Sequence, residues 1–140
     1  LRSPERFVQT ARRLVDLHRR QGAGADARLT DDVVRGWMAA QAYKLHTYWT
    51  VSHLLEGASV GAEASLNKIF WSEMDLHLHA TAQRILGERA GLLAEAPDAV
   101  DGGRWLDGYL FSLAGPIYAG TNEIQRNVIA DRVLNLPRGR

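Results

Sequence analysis

The chain contains no cysteine. Disulfide bonds, cysteine nucleophiles, iron–sulfur clusters and cysteine-ligated zinc are therefore excluded within its 140 residues. Strand signals are also almost absent, because no sustained alternation of apolar and polar residues bounded by turn dipeptides occurs anywhere. The sequence therefore predicts an all-α fold.

Charge of one sign and long apolar runs are missing as well. The 17 basic and 16 acidic residues give a net charge of +1 and form no run of like charge, so we do not expect nucleic-acid binding. No apolar run approaches the roughly 20 residues of a membrane-spanning helix, and the N-terminal residues do not resemble a signal peptide. We therefore expect a cytoplasmic protein.

Apolar residues at helical spacing predict an antiparallel up-and-down bundle of four main helices followed by a shorter C-terminal helix. We expect residues 1–140 to form this single domain. The predicted helices run from Pro4 to about Arg20, from a cap at Thr30 to about Leu55, from Gly61 or Glu63 to about Arg89, from Arg104 to about Ala114, and from Thr121 or Asn122 to just before Leu136. The segment from Gly91 to Gly103 is predicted to be a loop with a short irregular turn.

Helical spacing predicts that the apolar side of the first helix is formed by Phe7, Ala11, Leu14, Val15 and Leu17. Two further helices have patterns that predict how they pack. Apolar residues on more than one face of the third helix predict an inner helix. The second helix carries a stripe with alternating spacings of three and four residues, which predicts a seam of the bundle. The stripe consists of Val34, Trp37, Gln41, Leu45, Tyr48, Ser52 and Leu55.

The segment that begins the last helix permits two interpretations. Gly120 lets the backbone approach a ligand closely, Thr121 or Asn122 can cap the helix, and Gln125 is the expected capping-box partner of Asn122. A plain helix start explains this pattern. The same helix start also offers unpaired amides and a positive dipole end to a carbonyl oxygen or a phosphate.

The longer stretch from Pro116 to Arg138 is more specific. It reads Tyr-Ala-Gly-Thr-Asn-Glu-Ile-Gln-Arg from Tyr118 and reaches Leu-Pro-Arg at its end. This stretch resembles the C-terminal signature of acyl-CoA dehydrogenases, in which an aromatic residue, Glu, Gly and Thr precede Glu-Ile-Gln-Arg. The segments 61–73 and 109–112 extend the resemblance. It implies that the chain is the C-terminal part of a larger flavoenzyme, which normally has two further domains upstream.

The resemblance implies FAD as cofactor and an acyl-CoA thioester as substrate. FAD would bind between the middle domain and this bundle, with part of its adenosine half held by a neighbouring subunit of a homo- or heterotetramer. Thr121 and Glu123 would contact the adenosine or ribose, and Gly120 would allow close passage. Tyr118 and the backbone of Ala119 would line the flavin and thioester end, where the Ala119 amide could help polarise the thioester carbonyl. The electron acceptor stays open.

Ala119 stands where many family members carry the catalytic glutamate. Removal of the α-proton of a thioester needs a base, and alanine has no proton-accepting atom. Three explanations stay open. The base could lie on an earlier helix before residue 1, the chain could belong to a non-catalytic half of a heteromeric dehydrogenase, or the protein could be a relative with other flavin oxidase chemistry.

Other residues invite functional interpretations that we do not favour. The histidine pairs at 77 and 79 and at 46 and 53 lack the spacing of zinc hydrolases, so we expect no metal site, and His18 is expected to be exposed. Glu73 and Asp75 are interpreted as ion-paired with Lys68, Arg84 or an arginine of another helix. The tryptophans, Trp37, Trp49, Trp71 and Trp105, are interpreted as core or subunit-interface residues.

Overall fold

The computed structural model describes residues 2–21, 26–59 and 61–137. Over this part of the chain the structure contains α-helices and short 3₁₀ turns but no strand, which confirms the predicted all-α fold. The α-helices are α1 (Pro4–Gln21), α2 (Ala27–Leu55), α3 (Glu63–Leu86), α4 (Arg104–Leu113) and α5 (Asn122–Arg132). The sequence predicts a break between the first two helices at residues 21–25; Gln21 is still part of α1, and residues 22–25 lie outside the described residues.

Helix α3 is the centre of the bundle. It packs against α1, α2, α4 and α5, which confirms the predicted inner helix. Trp71, Met74, Leu78 and Ala82 are buried along it, so its apolar residues contribute to several contacts at once. Leu66, near the N-terminal end of α3, is 45% exposed.

The apolar side of α1 is buried as predicted. Phe7, Leu14 and Leu17 have no exposed surface. The Phe7 ring meets the Tyr43 ring edge-on at 5.2 Å between centroids and lies 6.4 Å from the Trp71 ring. These aromatic contacts join α1, α2 and α3 into one core.

The predicted start of α2 at Thr30 is wrong. Asp26 is the N-cap, and its carboxylate accepts the Arg28 N–H at 2.8 Å, so the helix begins one turn earlier. Thr30 lies inside the helix, where its hydroxyl oxygen is 3.0 Å from Nε2 of His18. His18 is consequently buried, which contradicts the expected exposure of that residue.

The predicted bundle seam on α2 is not buried in the chain. The buried side of α2 is a different stripe, formed by Val33, Gly36, Ala40, Tyr43 and Thr47. It contains small residues because α3 approaches closely: a Cβ on Gly36 would lie 2.8 Å from Cδ2 of Leu78. Large residues of the predicted seam point outward instead, with Leu45 68%, Tyr48 53% and Leu55 84% exposed.

The connection from α3 to α4 is fixed by one aspartate. Helix α3 ends at Leu86, before the predicted end near Arg89, and continues as a 3₁₀ turn, Gly87–Gly91. The predicted loop after it does contain a short 3₁₀ turn, Val100–Gly103. In this turn Asp101 accepts hydrogen bonds from Nη2 of Arg20 at 2.9 Å and from Nε1 of Trp105 at 2.9 Å.

Candidate functional site

The turn between α4 and α5 presents the signature residues at the surface. Ala119 and Gly120 are both exposed and have consecutive left-handed backbone conformations, with φ of 54° and 83°. A non-glycine residue in this conformation costs roughly 1–2 kcal/mol. Because Ala119 keeps this conformation, the turn must be held by its surroundings.

Gln125 holds the turn from one side. Its Nε2 donates to the Ala119 carbonyl at 3.0 Å, so the expected role of Gln125 as a capping-box partner of Asn122 is wrong. Glycine suits position 120 because its φ of 83° lies in the left-handed region, which residues with a Cβ rarely adopt. The N–H of Ala119 has no hydrogen-bond acceptor within the described residues and stays available on the exposed turn.

Thr121 is the N-cap of α5, as one of the two sequence alternatives predicted. Its backbone is extended and its hydroxyl accepts the Ile124 N–H at 3.3 Å. Glu123 follows in the first turn of the helix and is exposed. Hydrogen bonds from its own backbone N–H and from the Thr121 side chain lower the pKa of the Glu123 carboxyl, so it is ionised at neutral pH.

Asn122 was expected only as an alternative cap, but the structure gives it a larger role. Its side chain is 2% exposed and points into the bundle. Its Oδ1 accepts from Nζ of Lys68 at 2.6 Å, and its Nδ2 donates to Oγ of Ser72 at 3.1 Å and to Oε1 of Glu73 at 3.2 Å. The first residue of α5 is thereby fastened to α3.

Lys68 places a buried positive charge under the start of α5. Burial lowers the pKa of its ammonium group, while Glu123 and Glu73 oppose that shift through their charges. No sequence pattern pointed to this contact, since Lys68 and Asn122 are 54 positions apart.

Tyr118 lies half-buried next to the core and is held by Arg2. Nη2 of Arg2 donates to the Tyr118 hydroxyl at 2.7 Å, and the Tyr118 ring is 5.9 Å from the Trp71 ring. The structure thus brings Tyr118, Ala119, Gly120, Thr121 and Glu123 together at one surface of the bundle, next to the start of α5. The roles of these residues toward a ligand stay predictions.

The carboxylates near this turn are engaged in ion pairs. Glu73 pairs with Arg126, and Asp75 accepts from Nη2 of Arg6 at 3.2 Å. Asp75 also lies 3.3 Å from Nδ1 of His79, through its Oδ1. The interpretation of Glu73 and Asp75 as carboxylates paired with arginines of other helices is confirmed.

The tryptophans and the exposed apolar residues differ in where they lie. Trp71 and Trp105 are core residues, whereas Trp49 is 55% exposed on α2. Ile124 and Val133 of α5 are exposed, and so are Leu110 and Leu113 on α4. The described residues contain no group of three or more potential metal ligands and no helix long and apolar enough to cross a membrane.

Comparison with known sequences identifies relatives of the whole chain. A family described as "Acyl-CoA dehydrogenase, C-terminal domain" matches residues 2–134. The acyl-CoA dehydrogenase IpdE1 of Mycolicibacterium smegmatis is 35% identical over 133 residues, which are 95% of this chain and 32% of that protein. IpdE1 of Mycobacterium tuberculosis is 32% identical over 134 residues, covering 94% of this chain and 33% of that protein. The chain therefore spans about a third of the length of these relatives.

Solved structures share the fold. The ChsE4-ChsE5 complex from Mycobacterium tuberculosis matches 100% of this chain and 37% of the matched chain, with a TM-score of 0.82 and 26% identity. The Tcur3481-Tcur3483 steroid ACAD matches 97% of this chain and 35% of the matched chain, with a TM-score of 0.84 and 22% identity. The second likeness shows the fold alone.

Proposed function

The chain belongs to the acyl-CoA dehydrogenase family through its C-terminal helical domain, and we propose that it is the FAD-interface and oligomerisation domain of a larger flavin-dependent acyl-CoA dehydrogenase. The complete enzyme would remove the α-proton and the β-hydride of an acyl-CoA thioester. It would work in the cytoplasm as a homo- or heterotetramer. The domains absent from these residues would precede the bundle.

The observation that carries the proposal is the exposed turn at Ala119–Gly120, which is followed directly by the Thr121 cap. A glycine without a side chain, an unpaired backbone amide and a positive helix end suit a ligand with hydroxyl, phosphate or carbonyl oxygens. The ionised Glu123 beside them can accept hydrogen bonds from ribose hydroxyls. The residues present therefore fit the adenosine and ribose half of FAD.

In the proposed reaction the flavin would accept the hydride. This chain would contribute Tyr118 and Ala119, which precede the residues proposed to contact the adenosine half. Tyr118 would lie beside the thioester, and the Ala119 N–H would donate to the thioester carbonyl. A hydrogen bond there stabilises the negative charge that develops on the carbonyl oxygen when the α-proton leaves. Ala119 cannot take that proton, so another group must be the base, and we propose that it lies outside these residues, on an upstream helix.

The exposed apolar face of α2 supports the oligomerisation role. We name it the α2 seam and define it by Val34, Met38, Leu45, Tyr48, Trp49 and Leu55, all of which are at least 49% exposed. A helix that is apolar on two sides is normally covered on both, and a stripe with heptad spacing fits another helix. We propose that the seam packs against another subunit.

A second candidate function is a non-catalytic half of a heteromeric dehydrogenase. Ala119 favours it, because such a subunit would keep the flavin-interface residues and need no base. The solved structures that share this fold include the ChsE4-ChsE5 complex. Both candidates share the FAD interface and differ in whether the complete protein supplies a catalytic base.

The test uses the complete protein, expressed alone and together with the products of neighbouring genes. We expect bound FAD in at least one of these preparations and reduction of that flavin by an acyl-CoA. The two candidates are then separated by replacing the carboxylate residue on the helix that precedes residue 1 with its amide. Loss of flavin reduction with FAD retained supports a catalytic subunit, and unchanged reduction supports the non-catalytic half. Absence of FAD from every preparation would refute both.

A further inference from the structure

We propose that Arg2 is a positioning residue of this site: it fixes Tyr118 and, through Tyr118, the backbone of Ala119. The inference rests on the proposed function, because it takes this turn to face the reacting thioester. Arg2 lies just before α1 and was not part of any sequence motif. Its effect on the reaction follows from three contacts.

The backbone of Arg2 is anchored in the core. Its carbonyl oxygen accepts a hydrogen bond from the Tyr43 hydroxyl at 3.1 Å. Tyr43 is fully buried, and its ring contacts Phe7 and Phe70 edge-on at 5.2 Å and 5.6 Å. The Arg2 backbone is therefore held by a rigid part of the bundle.

The guanidinium of Arg2 then covers two aromatic rings. It lies 5.0 Å from the Trp71 ring centroid and 5.7 Å from that of Tyr118. Its Nη2 donates to the Tyr118 hydroxyl at 2.7 Å. A planar cation can stack and donate in a fixed direction at the same time, whereas an ammonium group has no such plane. Arg2 therefore fixes both the position and the rotation of the Tyr118 side chain.

The Tyr118 backbone leads directly into the left-handed Ala119. The Tyr118 N–H donates to the Ala114 carbonyl at 3.1 Å, and Gln125 holds the Ala119 carbonyl at 3.0 Å. The Tyr118 N–H and the Ala119 carbonyl are thus both held, but the peptide group between Tyr118 and Ala119, which carries the Ala119 N–H, has no hydrogen bond of its own among the described residues. The Arg2–Tyr118 bond limits the rotation of this peptide group by holding the Tyr118 side chain. Small errors in the placement of reacting groups reduce rates strongly.

The experiment uses the complete enzyme with any subunit that copurifies with it. Arg2→Ala, Arg2→Lys, Tyr118→Phe and the double variant Arg2→Ala/Tyr118→Phe are compared for kcat, KM, FAD content and Tm. Arg13→Ala is the matched control, since Arg13 is an exposed arginine of α1 far along the helix from Arg2. We expect Arg2→Ala to lower kcat by about tenfold with KM and FAD content little changed. Arg2→Lys should be intermediate.

The double variant decides whether Arg2 acts through Tyr118. If it does, the double variant should be no slower than Arg2→Ala, because both changes remove the same bond. The inference would be overturned if the fold-decrease in kcat of the double variant equalled the product of the two single decreases. It would also be overturned if Arg2→Ala had the same kcat as Arg13→Ala. If Arg2→Ala fails to fold, an unchanged kcat in both Arg2→Lys and Tyr118→Phe overturns it in the same way. A wild-type enzyme without FAD would refute the proposed function itself.

Discussion

Lys68 donates a 2.6 Å hydrogen bond to Asn122, and both side chains are buried. The bond connects the second turn of the central helix α3 to the first residue of α5. An interior lysine whose pKa is lowered by burial is costly unless it is well placed. Here it fixes the start of the helix that follows the exposed turn, so the turn and the core are mechanically connected.

Asn122→Ala should therefore loosen the turn as well as destabilise the bundle. The change leaves the Lys68 ammonium without its hydrogen-bond partner and removes the bonds to Ser72 and Glu73. We expect a loss of about 2–3 kcal/mol in the free energy of unfolding, measured with urea. Asn127→Ala, on the exposed side of α5, is the control and should cost less than about 0.5 kcal/mol. Equal effects of the two changes would contradict the assigned role of Asn122.

Thr121→Ala combined with Glu123→Ala should weaken FAD retention by the complete protein. The first change removes the cap of α5, and the second removes an ionised acceptor next to it. Retention is measured as the ratio of flavin to protein absorbance after gel filtration. Thr121→Ser alone keeps a capping hydroxyl and should retain FAD, as should Glu88→Ala at an exposed site elsewhere. Unchanged retention in the double variant would argue against both assignments.

Leu45→Glu should disrupt subunit association through the α2 seam. Leu45 is 68% exposed in the single chain, and a carboxylate buried in an apolar interface without a partner is strongly unfavourable. The expected result is a smaller assembly in analytical ultracentrifugation of the complete protein, with Tm of the chain little changed. Gln9→Glu adds the same charge at an exposed position of α1 and should leave the assembly intact. An unaltered assembly in Leu45→Glu would refute the role of the seam.

The sequence predicted local features better than contacts between distant residues. The apolar side of α1 and the cap at Thr121 follow from spacing and side-chain chemistry within one turn, and both are confirmed. The α2 seam shows the limit of such patterns. Heptad spacing does not decide which side of a helix packs within the chain, because the small residues Gly36 and Ala40 bring α3 to another side of α2.

The contacts that hold the candidate site could not be predicted in this way. Arg2 and Tyr118 are 116 positions apart, and only the packed helices bring them together. Asn122 looks like an ordinary capping residue in the sequence, since Thr121 and Asn122 are both good caps. The choice between them depends on Ser72 and Lys68, which lie on another helix. Tertiary contacts therefore decide which of two equivalent local patterns is used.

Asp101→Asn should lower stability at neutral pH but not in acid. The hydrogen bond from Arg20 lowers the pKa of the Asp101 carboxyl in the folded chain. The ionised carboxylate therefore stabilises the fold at every pH above the pKa of an unfolded aspartate, which is about 4. This contribution is lost as the pH falls through the lower folded-state pKa. Because Arg20 is half-exposed, we expect a difference of only about 0.5–1 kcal/mol. It should be constant from pH 5 to 8 and shrink below about pH 4. Asp98→Asn, at an exposed site, is the control.

Gly108→Ala should destabilise the chain because α4 lies directly against His79. A Cβ at Gly108 would be 2.3 Å from Nε2 of His79, and this imidazole is buried and bonded through Nδ1 to the Asp75 carbonyl at 2.9 Å. The ring can move away only by breaking that bond or shifting α4. We expect a loss of about 1–3 kcal/mol, measured by thermal and urea unfolding.

Gly91→Ala is the matched control for this change. A Cβ at Gly91 would meet no heavy atom within 4 Å, and its backbone does not need the left-handed region. The added methyl group should therefore be neutral or stabilise by up to about 1 kcal/mol, because alanine restricts the unfolded chain. His79→Ala in the Gly108→Ala background removes the clashing ring and should recover part of the loss caused by Gly108→Ala. If it recovers none, the close approach of α4 to His79 is not the cause of the destabilisation.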